Sequence, residues 1–223
     1  MSSLIVLVHT VSPLVPEFQR LCAELLPDAQ VKHVLDEPLL ERVRRRGRLA
    51  PEDAARLETH VQMAAEIGAA AVLVTCSTIS PCVDEVRERV SVPVIKIDEA
   101  MLAEALRLGT RIGVVATNPT TLEPTRKSLV AQAEACRRTV ETELVLVEGA
   151  LPALMGGDGE THDRLVARAV LDLAGRVDVV ILAQASMARV LPMVSECPVP
   201  VLSSPRSALG RIRELLRTLE SAQ

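Results

Sequence analysis

The chain has 223 residues and a formal net charge of −4, so it carries no strongly basic domain that could neutralise the phosphates of a nucleic acid. Its hydrophobic fraction of 48% is ample for a core, but Trp and Tyr are absent and Phe18 is the single Phe, which disfavours binding by base stacking. No apolar stretch approaches the roughly 18–20 residues that cross a bilayer. Neither a nucleic acid nor a membrane is therefore expected as a partner.

The first half of the chain alternates short aliphatic runs with helical segments. Short aliphatic runs bounded by Gly, Pro or polar residues predict buried strands, and Pro51 is well placed for the first turn of a helix. The predicted strands are residues 4–8, 30–35, 71–75 and 92–95. The predicted helices follow Pro16 to about residue 26 and then span residues 37–46, 51–67, 80–89 and 98–108.

The second half repeats this alternation. Its predicted strands are residues 111–116, 143–147, 178–182 and 199–202, and its predicted helices are 119–137, 161–175, 186–193 and 204–221. Gly149-Ala150 is typical of a tight turn, and the glycine-rich residues 156–159 are typical of a loop. Strands that alternate with helices predict βαβ units and parallel sheets covered on both faces, which is an α/β fold.

The two halves share landmarks at a nearly constant spacing. The matched segments are Val8-His9-Thr10 with Val115-Ala116-Thr117, Cys76-Ser77-Thr78 with Ala185-Ser186-Met187, and Pro93-Val94 with Pro200-Val201, at offsets of 107, 109 and 107. Landmarks in the same order predict a duplicated unit. We therefore expect two pseudo-symmetric lobes, residues 1–97 with 205–223 and residues 98–204, each a short parallel sheet flanked by helices, with a ligand cleft between them.

The five cysteines stand at positions 22, 76, 82, 136 and 197, without the spacing of a zinc site or a disulfide framework. Neither a dinucleotide fingerprint nor a P-loop occurs, so no metal and no cofactor is expected. Met1 leads almost directly into the first strand without a signal peptide, and this favours the cytoplasm. Aliphatic helices of this type often bury a face against a second copy, which would make a homo-oligomer.

Small or polar residues stand where the predicted strands end. Ligands of open α/β sheets bind beyond the carboxyl ends of the strands, where helix N-termini offer free N–H groups to a small carboxylate. The candidate substrate-binding residues are Thr10, Ser77, Thr78, Thr117, Asn118, Gln184, Ala185 and Ser186, and the candidate catalytic residues are Cys76 and His9.

These motifs resemble the aspartate/glutamate/hydantoin racemase superfamily, which includes arylmalonate decarboxylase and maleate isomerase. The resemblance covers the whole chain. Three segments carry it: Val74-Thr75-Cys76-Ser77-Thr78, Leu182-Ala183-Gln184-Ala185-Ser186-Met187, and Ile112-Gly113-Val114-Val115-Ala116-Thr117 at the start of the second lobe.

The resemblance implies a cofactor-independent mechanism with one cysteine from each lobe, on opposite sides of a carbon next to a carboxylate. Cys76 falls on the first cysteine position, whereas Ala185 falls on the second and cannot transfer a proton. A symmetric two-thiol racemase is therefore not expected, unless Ala185 is an introduced change. The decarboxylase branch manages with one cysteine, because loss of CO2 creates the carbanion and a single acid completes the reaction. Ser186 or Thr117 could otherwise take the second part, although hydroxyl groups are poor bases.

The residues themselves also favour Cys76. A thiol near a helix N-terminus can have its pKa lowered into the working range, and Ser77 and Thr78 can supply donors to a developing enolate. The structural alternative is that Cys76 is a small buried hydrophobe.

His9 ends the first strand and is a candidate to polarise Cys76 or to hold a carboxylate, with a satisfied, partly buried histidine as the alternative. His33, Asp36 and Glu37 cluster after the second strand, where helix capping by Asp36 competes with ligand contact. Capping is also the structural interpretation of His162 and Asp163, and His60 is expected to be structural or exposed.

The sequence thus predicts a racemase- or isomerase-type enzyme that acts next to the carboxylate of a small acid, with Cys76 as its single acid or base. Two alternatives stay open: a one-cysteine decarboxylase or tautomerase, and a member that binds a small acid without turnover. Catalysis predicts an acidified Cys76, whereas a pKa of about 8.5 or higher would count against the enzyme and favour the binder. A Cys-His hydrolase built on Cys76 and His9 has no clear third group to orient the histidine.

Overall fold

The computed structural model describes residues 3–221, which form two compact units. The first unit runs as far as Glu99 and takes up the chain again from Pro205 onward, and the second is Ala100–Ser204. None of the helices within residues 3–221 is long and apolar enough to cross a membrane.

The first unit holds a four-stranded parallel sheet. Its strands are β1 (Leu4–His9), β2 (Gln30–Leu35), β3 (Ala71–Val74) and β4 (Val94–Lys96), in the order β2-β1-β3-β4. Its helices are α1 (Leu14–Leu25), α2 (Glu37–Arg46), α3 (Pro51–Glu66) and α4 (Ser80–Arg87), followed across the unit boundary by α5 (Glu99–Leu108). The C-terminal helix, Ser204–Ser221, returns almost entirely to this unit.

The second unit repeats the plan. Its strands are β5 (Arg111–Ala116), β6 (Glu141–Leu146), β7 (Val179–Leu182) and β8 (Val201–Ser203), in the parallel order β6-β5-β7-β8. Its helices are α6 (Pro119–Ala135), α7 (Ala150–Met155), α8 (Gly159–Ala174) and a 3₁₀ helix at Ala185–Val194, so that Ser204–Ser221 becomes α9. The predicted α/β fold of two similar sheet-and-helix units is thereby confirmed.

Prolines shift two predicted strands. The predicted strands 92–95 and 199–202 begin later in the structure, as β4 and β8. Pro93 and Pro200 lack an N–H to donate, but their carbonyls still accept from Val72 (2.8 Å) and Val180 (2.9 Å). Each proline therefore stands at the entry of its strand, as is usual for proline in a sheet.

Two helical segments of the second unit differ from the prediction. Helix α7 was missed: Gly149 adopts a φ of 79°, as a tight turn requires, but a helix follows it at once. The predicted helix 186–193 is a 3₁₀ helix instead. Asp158, rather than His162 or Asp163, caps α8, because its carboxylate accepts from the Thr161 N–H at 3.0 Å.

The cores are aliphatic, as the composition requires. All residues of β3 and β7 are buried, since each strand lies inside its sheet with helices on both faces. The edge strands β2 and β6 are more exposed. In β5, Gly113 lets Leu173 of α8 approach closely, because a Cβ there would lie 2.4 Å from Leu173 Cδ2. This packing leaves the polar strand ends as the chemically distinctive part of each unit.

Candidate functional site

In the first unit, the ends of β1 and β3 lie side by side. Val8 pairs with Val74, and the Thr75 N–H donates to the Val8 carbonyl at 3.0 Å. This register places His9 and Thr10 beside the turn that leads from Cys76 to α4. The sequence-predicted residues of this unit thus come together because neighbouring parallel strands end at the same edge.

Cys76 is almost completely buried, with 9% of its surface exposed. Donors gather around its sulfur, namely the Thr78 N–H and hydroxyl, the Ile79 N–H and the Thr10 hydroxyl, and each of them favours the thiolate. Burial outweighs them and raises the pKa of Cys76. This direction is opposite to the acidification expected of a catalytic Cys76, and a thiol whose pKa lies above its ordinary value is protonated at neutral pH.

Two hydroxyls at this turn are unusual. Ser77 Oγ and Thr10 Oγ1 are buried, yet neither makes a hydrogen bond of ordinary geometry within residues 3–221. The Thr10 hydroxyl is nevertheless close enough to Cys76 to favour its thiolate. Buried polar groups are usually paired, so these two hydroxyls are suited to contact a ligand or the ionised sulfur.

His9 is hydrogen-bonded to residues other than Cys76. Its Nδ1 lies 2.8 Å from Thr75 Oγ1 and its Nε2 lies 2.9 Å from His33 Nδ1, while its ring packs on Phe18 with centroids 5.5 Å apart. Burial, together with the neighbouring His33, lowers the pKa of His9 to about 4. Both ring nitrogens of a neutral imidazole are therefore engaged, and the ring orients Thr75, the residue that precedes Cys76.

Asp98 also lies in this region, although it was not among the residues predicted for the site. It follows β4, is 1% exposed, and accepts a hydrogen bond from Ser80 Oγ to Oδ1 at 3.1 Å, whereas Oδ2 has no partner within the described chain. Ser80 Oγ also lies 3.4 Å from the Cys76 carbonyl. Burial raises the pKa of Asp98 to about 6. The one available signal was its place after a buried strand.

In the second unit, three donors converge on one oxygen. Gln184 Oε1 accepts from the Thr117 N–H at 2.6 Å, the Thr117 hydroxyl at 3.1 Å and the Asn118 N–H at 3.1 Å. The Asn118 side chain caps α6 by accepting from the Thr120 N–H at 3.2 Å. Thr117, Asn118 and Gln184 thus lie together, with the amide oxygen of Gln184 held at the start of α6.

The strand registers identify the true counterpart of Cys76. Val8 pairs with Val74 in the first sheet, and Val115 pairs with Leu182 in the second. One residue later, the Thr75 N–H donates to the Val8 carbonyl in the first sheet. In the same way, the Ala183 N–H donates to the Val115 carbonyl in the second sheet. The Cys76 carbonyl accepts from the N–H three residues later, and so does the Gln184 carbonyl, at 3.2 and 3.0 Å.

Gln184 therefore occupies the position equivalent to Cys76, and the assignment of Ala185 to that position is wrong by one residue. Ala185 corresponds instead to Ser77, and the half-buried Ser186 corresponds to Thr78. The error arose because the sequence comparison aligned similar residue types, whereas hydrogen bonds between strands define the register.

His60 and His162 hydrogen-bond to carboxylates outside the candidate site. Asp36 caps α2, accepting from the Leu39 N–H at 3.1 Å, and it also binds Arg56 and His60 Nε2 (2.7 Å). His162 is buried in α8 with its Nδ1 2.8 Å from Asp163. Across residues 3–221, no three side chains of metal-ligating type come together.

The comparisons with known proteins agree with this architecture. The model of the Asp/Glu/Hydantoin racemase family matches residues 5–211. No curated protein sequence matches the chain significantly. The allantoin racemase from Klebsiella pneumoniae is similar in structure, with a TM-score of 0.74 and 19% identity over 97% of this chain and 89% of that one.

Two further solved structures resemble the chain. A glutamate racemase isoform from Bacillus anthracis has a TM-score of 0.70 and 17% identity, over 97% of this chain and 82% of that one. The aspartate racemase from Picrophilus torridus has a TM-score of 0.71 and 10% identity, over 97% and 94%. At such identities the likeness concerns the fold.

Proposed function

The chain belongs to the Asp/Glu/Hydantoin racemase family, and from that premise we propose that it is a cofactor-independent enzyme in which Cys76 alone transfers a proton at the carbon next to a carboxylate. Membership of the family supports a racemase- or isomerase-type enzyme. The finer statements, namely the single cysteine, the small-acid substrate and the absence of a cofactor, are our proposal.

The observation that carries the proposal is the surroundings of Cys76. Four donors favour its thiolate, while burial keeps the resting thiol protonated. Such a sulfur gives up a proton most readily to a strongly basic carbon, and the donors then stabilise the thiolate that remains. The equivalent position in the second unit holds the amide of Gln184, which has no proton to transfer at ordinary pH.

Other groups of the first unit have supporting parts in this proposal. Ser77 would donate its hydroxyl, which has no partner among residues 3–221, to the substrate, and Thr10 and Thr78 would stabilise the Cys76 thiolate. His9 would act through Thr75 as a positioning residue, rather than by direct proton transfer.

The raised pKa of Cys76 favours a second candidate, a one-cysteine decarboxylase. In decarboxylation the bond between carbon and carboxylate breaks, and its electron pair forms an enolate. The Cys76 thiol then protonates the carbon, and solvent returns a proton to the thiolate. This sequence needs only an acid, whereas a racemase or isomerase must first remove a proton with the thiolate.

The test is incubation in D2O with aspartate, glutamate, hydantoins, 2-substituted malonates and maleate, followed by NMR. We expect deuterium at the carbon next to the carboxylate of one compound class, without added metal or cofactor. Deuterium entry without loss of CO2 indicates reversible proton removal at that carbon, the step with which an isomerase-type reaction begins. Deuterium entry coupled to CO2 release from a malonate supports the decarboxylase.

Configuration at the labelled carbon gives the second readout. A single proton donor predicts that one face of the carbon is labelled, so exchange should proceed with retention and decarboxylation should yield one enantiomer. Equal labelling of both faces would contradict the single-cysteine proposal. Saturable binding of a probe without any exchange or CO2 release would instead identify a small-acid binder without turnover.

A further inference from the structure

In the first unit, one buried hydroxyl lies between the Cys76 turn and a buried carboxyl. Ser80 is the first residue of α4, and its Oγ lies 3.1 Å from Asp98 Oδ1 and 3.4 Å from the Cys76 carbonyl oxygen. We propose that Asp98 is a positioning residue for Cys76, acting through the Ser80 hydroxyl, whose single proton can go either to Asp98 or to the Cys76 carbonyl. This inference rests on the proposed function and names a group that regulates the reactivity of its cysteine.

The charge of Asp98 decides which oxygen receives that proton. A hydroxyl has one proton to donate, but it can also accept. An ionised Asp98 can only accept, and it draws the Ser80 proton because hydrogen bonds to a charged group are the stronger ones. A protonated Asp98 can instead donate to Ser80 Oγ, and this frees the Ser80 proton for the Cys76 carbonyl.

The Cys76 carbonyl is linked to the Cys76 sulfur by a shared donor. The Ile79 N–H lies 3.2 Å from that carbonyl, and the same N–H favours the thiolate of Cys76. A second donor on the carbonyl, from Ser80, competes with the Ile79 N–H and leaves more of it for the sulfur. Formation of the thiolate is therefore favoured when Asp98 is neutral and disfavoured when Asp98 is ionised.

Asp98 is suited to change its charge near neutral pH. Both Ser80 and Asp98 are at most 1% exposed, and Asp98 Oδ2 has no hydrogen-bond partner within residues 3–221. Burial accordingly raises the pKa of Asp98 to about 6. The step from neutral to ionised Asp98 thus falls in a range where the isolated protein can be studied on both sides.

The charged groups around Asp98 come from three elements. Lys96 of β4 lowers the pKa of Asp98 and Glu99 of α5 raises it, while Arg87 of α4 is the third charge that interacts with it. Arg87 forms an ion pair with Glu99 at 2.7 Å, and Lys96 bonds Asp84 at 2.6 Å. Although burial opposes it, the bond from Arg87 holds the pKa of Glu99 below its usual value, so Glu99 keeps its charge while Asp98 titrates.

Three variants separate positioning from a purely structural role. Asp98→Asn imitates the neutral carboxyl, because its amide can donate to Ser80 Oγ at every pH. Ser80→Ala removes the connecting hydroxyl and leaves the charge of Asp98 in place. Asp84→Asn is the matched control, since it removes a carboxylate of the same helix that bonds Lys96 and is 64% exposed.

The measurement is the rate at which iodoacetamide alkylates Cys76, followed by peptide mass spectrometry and expressed relative to the exposed Cys136. We expect the wild type and Asp98→Asn to react alike at about pH 5, where both carry a neutral group. At about pH 7.5 the Asn variant should react roughly two- to tenfold faster, the range of one hydrogen bond. Melting temperature is the control for folding.

The double variant tests the path through Ser80. In the Ser80→Ala background, Asp98→Asn should no longer change the rate, because the connecting hydroxyl is gone. An undiminished gain in that background would show that the charge of Asp98 acts through space, and it would overturn the inference. Equal rates of wild type and Asp98→Asn at both pH values, or the same gain from Asp84→Asn, would overturn it as well.

Thiolate absorbance in the ultraviolet covers the case in which Cys76 is too buried to react. The absorbance of each protein is compared with that of the same protein carrying Cys76→Ala, and the difference reports the ionisation of Cys76 alone. Asp98→Asn should lower the pH at which Cys76 ionises, and an unchanged ionisation would overturn the inference.

These measurements use no substrate, so their failure is distinguishable from failure of the proposed function. If the rates diverge with pH as expected but no probe shows exchange or CO2 release, the proposed turnover fails and the positioning role of Asp98 stands. If deuterium enters a substrate but the reactivity of Cys76 is insensitive to Asp98, the proposed function stands and this inference fails.

Discussion

Replacing Cys76 with Ala should lower the rate of deuterium incorporation by roughly 10²–10⁴-fold, the usual contribution of a positioned acid or base. The sulfur is the acidic group to which Thr10, Thr78 and the Ile79 N–H are directed. The variant should fold, since Ala fits the buried turn and removes one sulfur. The check is the NMR exchange assay with the substrate found for the wild type, together with a circular dichroism spectrum.

Cys82 offers the matched control. It is also buried, burial raises its pKa to about 12, and it lies on α4 only six residues after Cys76. Cys82→Ala should retain wild-type exchange because no donor from the strand ends reaches it. Equal loss in both variants would indicate damage to packing, and full activity of Cys76→Ala would refute its role.

The raised pKa of Cys76 also predicts how the protein reacts with alkylating agents. Thiolates, rather than thiols, react, so iodoacetamide should modify Cys76 more slowly at pH 7 than it modifies the exposed Cys136. Where Cys76 acts as an acid, the rate of the enzymatic reaction should stay constant through neutral pH and fall only at a higher pH, where the thiol ionises. Rapid alkylation of Cys76 at pH 7, measured by peptide mass spectrometry, would show that the thiolate predominates.

The second large effect concerns Asp98 and stability. Replacing Asp98 with Asn should stabilise the protein by up to about 3 kcal/mol at pH 7 and by little at pH 4. The folded-state pKa is raised from 3.8 to about 6 by burial. Stability from this carboxyl is therefore fully present below pH 3.8 and is lost as the pH rises through 6, because the buried group must then ionise.

The ionisation of His9 changes stability with pH in the opposite direction. Its folded-state pKa is lowered from 6.5 to about 4, so its contribution is present above pH 6.5 and is lost as the pH falls through 4, again by about 3 kcal/mol. Between pH 4 and 6 the two effects largely cancel in the wild type. His33, whose pKa burial also lowers, adds to the loss on acidification.

Urea unfolding at several pH values between 4 and 7.5 checks this prediction. The wild type should show a shallow dependence on pH, whereas Asp98→Asn should lose stability steadily on acidification because the histidine effect is no longer opposed. Asp172→Asn is the control, since its carboxylate is exposed on α8. Parallel pH curves for wild type and Asp98→Asn would show that Asp98 does not titrate in this range.

Much of the architecture follows from local patterns. Residues 30–35 and 111–116 were predicted as strands and are strands, as residues 204–221 were predicted as a helix and form one. Short aliphatic runs between Gly, Pro and polar residues favour strands of a parallel sheet, because such strands are buried on both faces. Boundaries shifted where a single group decided them, as at Pro93 and Pro200, which have no N–H to donate.

The candidate site was predictable to the level of the strand ends. Parallel strands place their carboxyl ends at one edge, so the polar residues after β1 and β3, and after β5 and β7, had to meet. The identity of each group's partner was not predictable in this way. His9 was expected to serve Cys76, but His33 and Thr75 bind both of its nitrogens, and these partners come from other strands.

The sequence by itself determined the α/β class, the repeat, the family and the candidacy of Cys76, because these depend on residue order and on the period of apolar residues. Only the tertiary structure decided that Gln184 rather than Ala185 mirrors Cys76, that the pKa of Cys76 is raised, and that Asp98 is buried beside Ser80. Register and burial are set by contacts between distant segments, and small differences in loop length conceal them from any comparison along the chain.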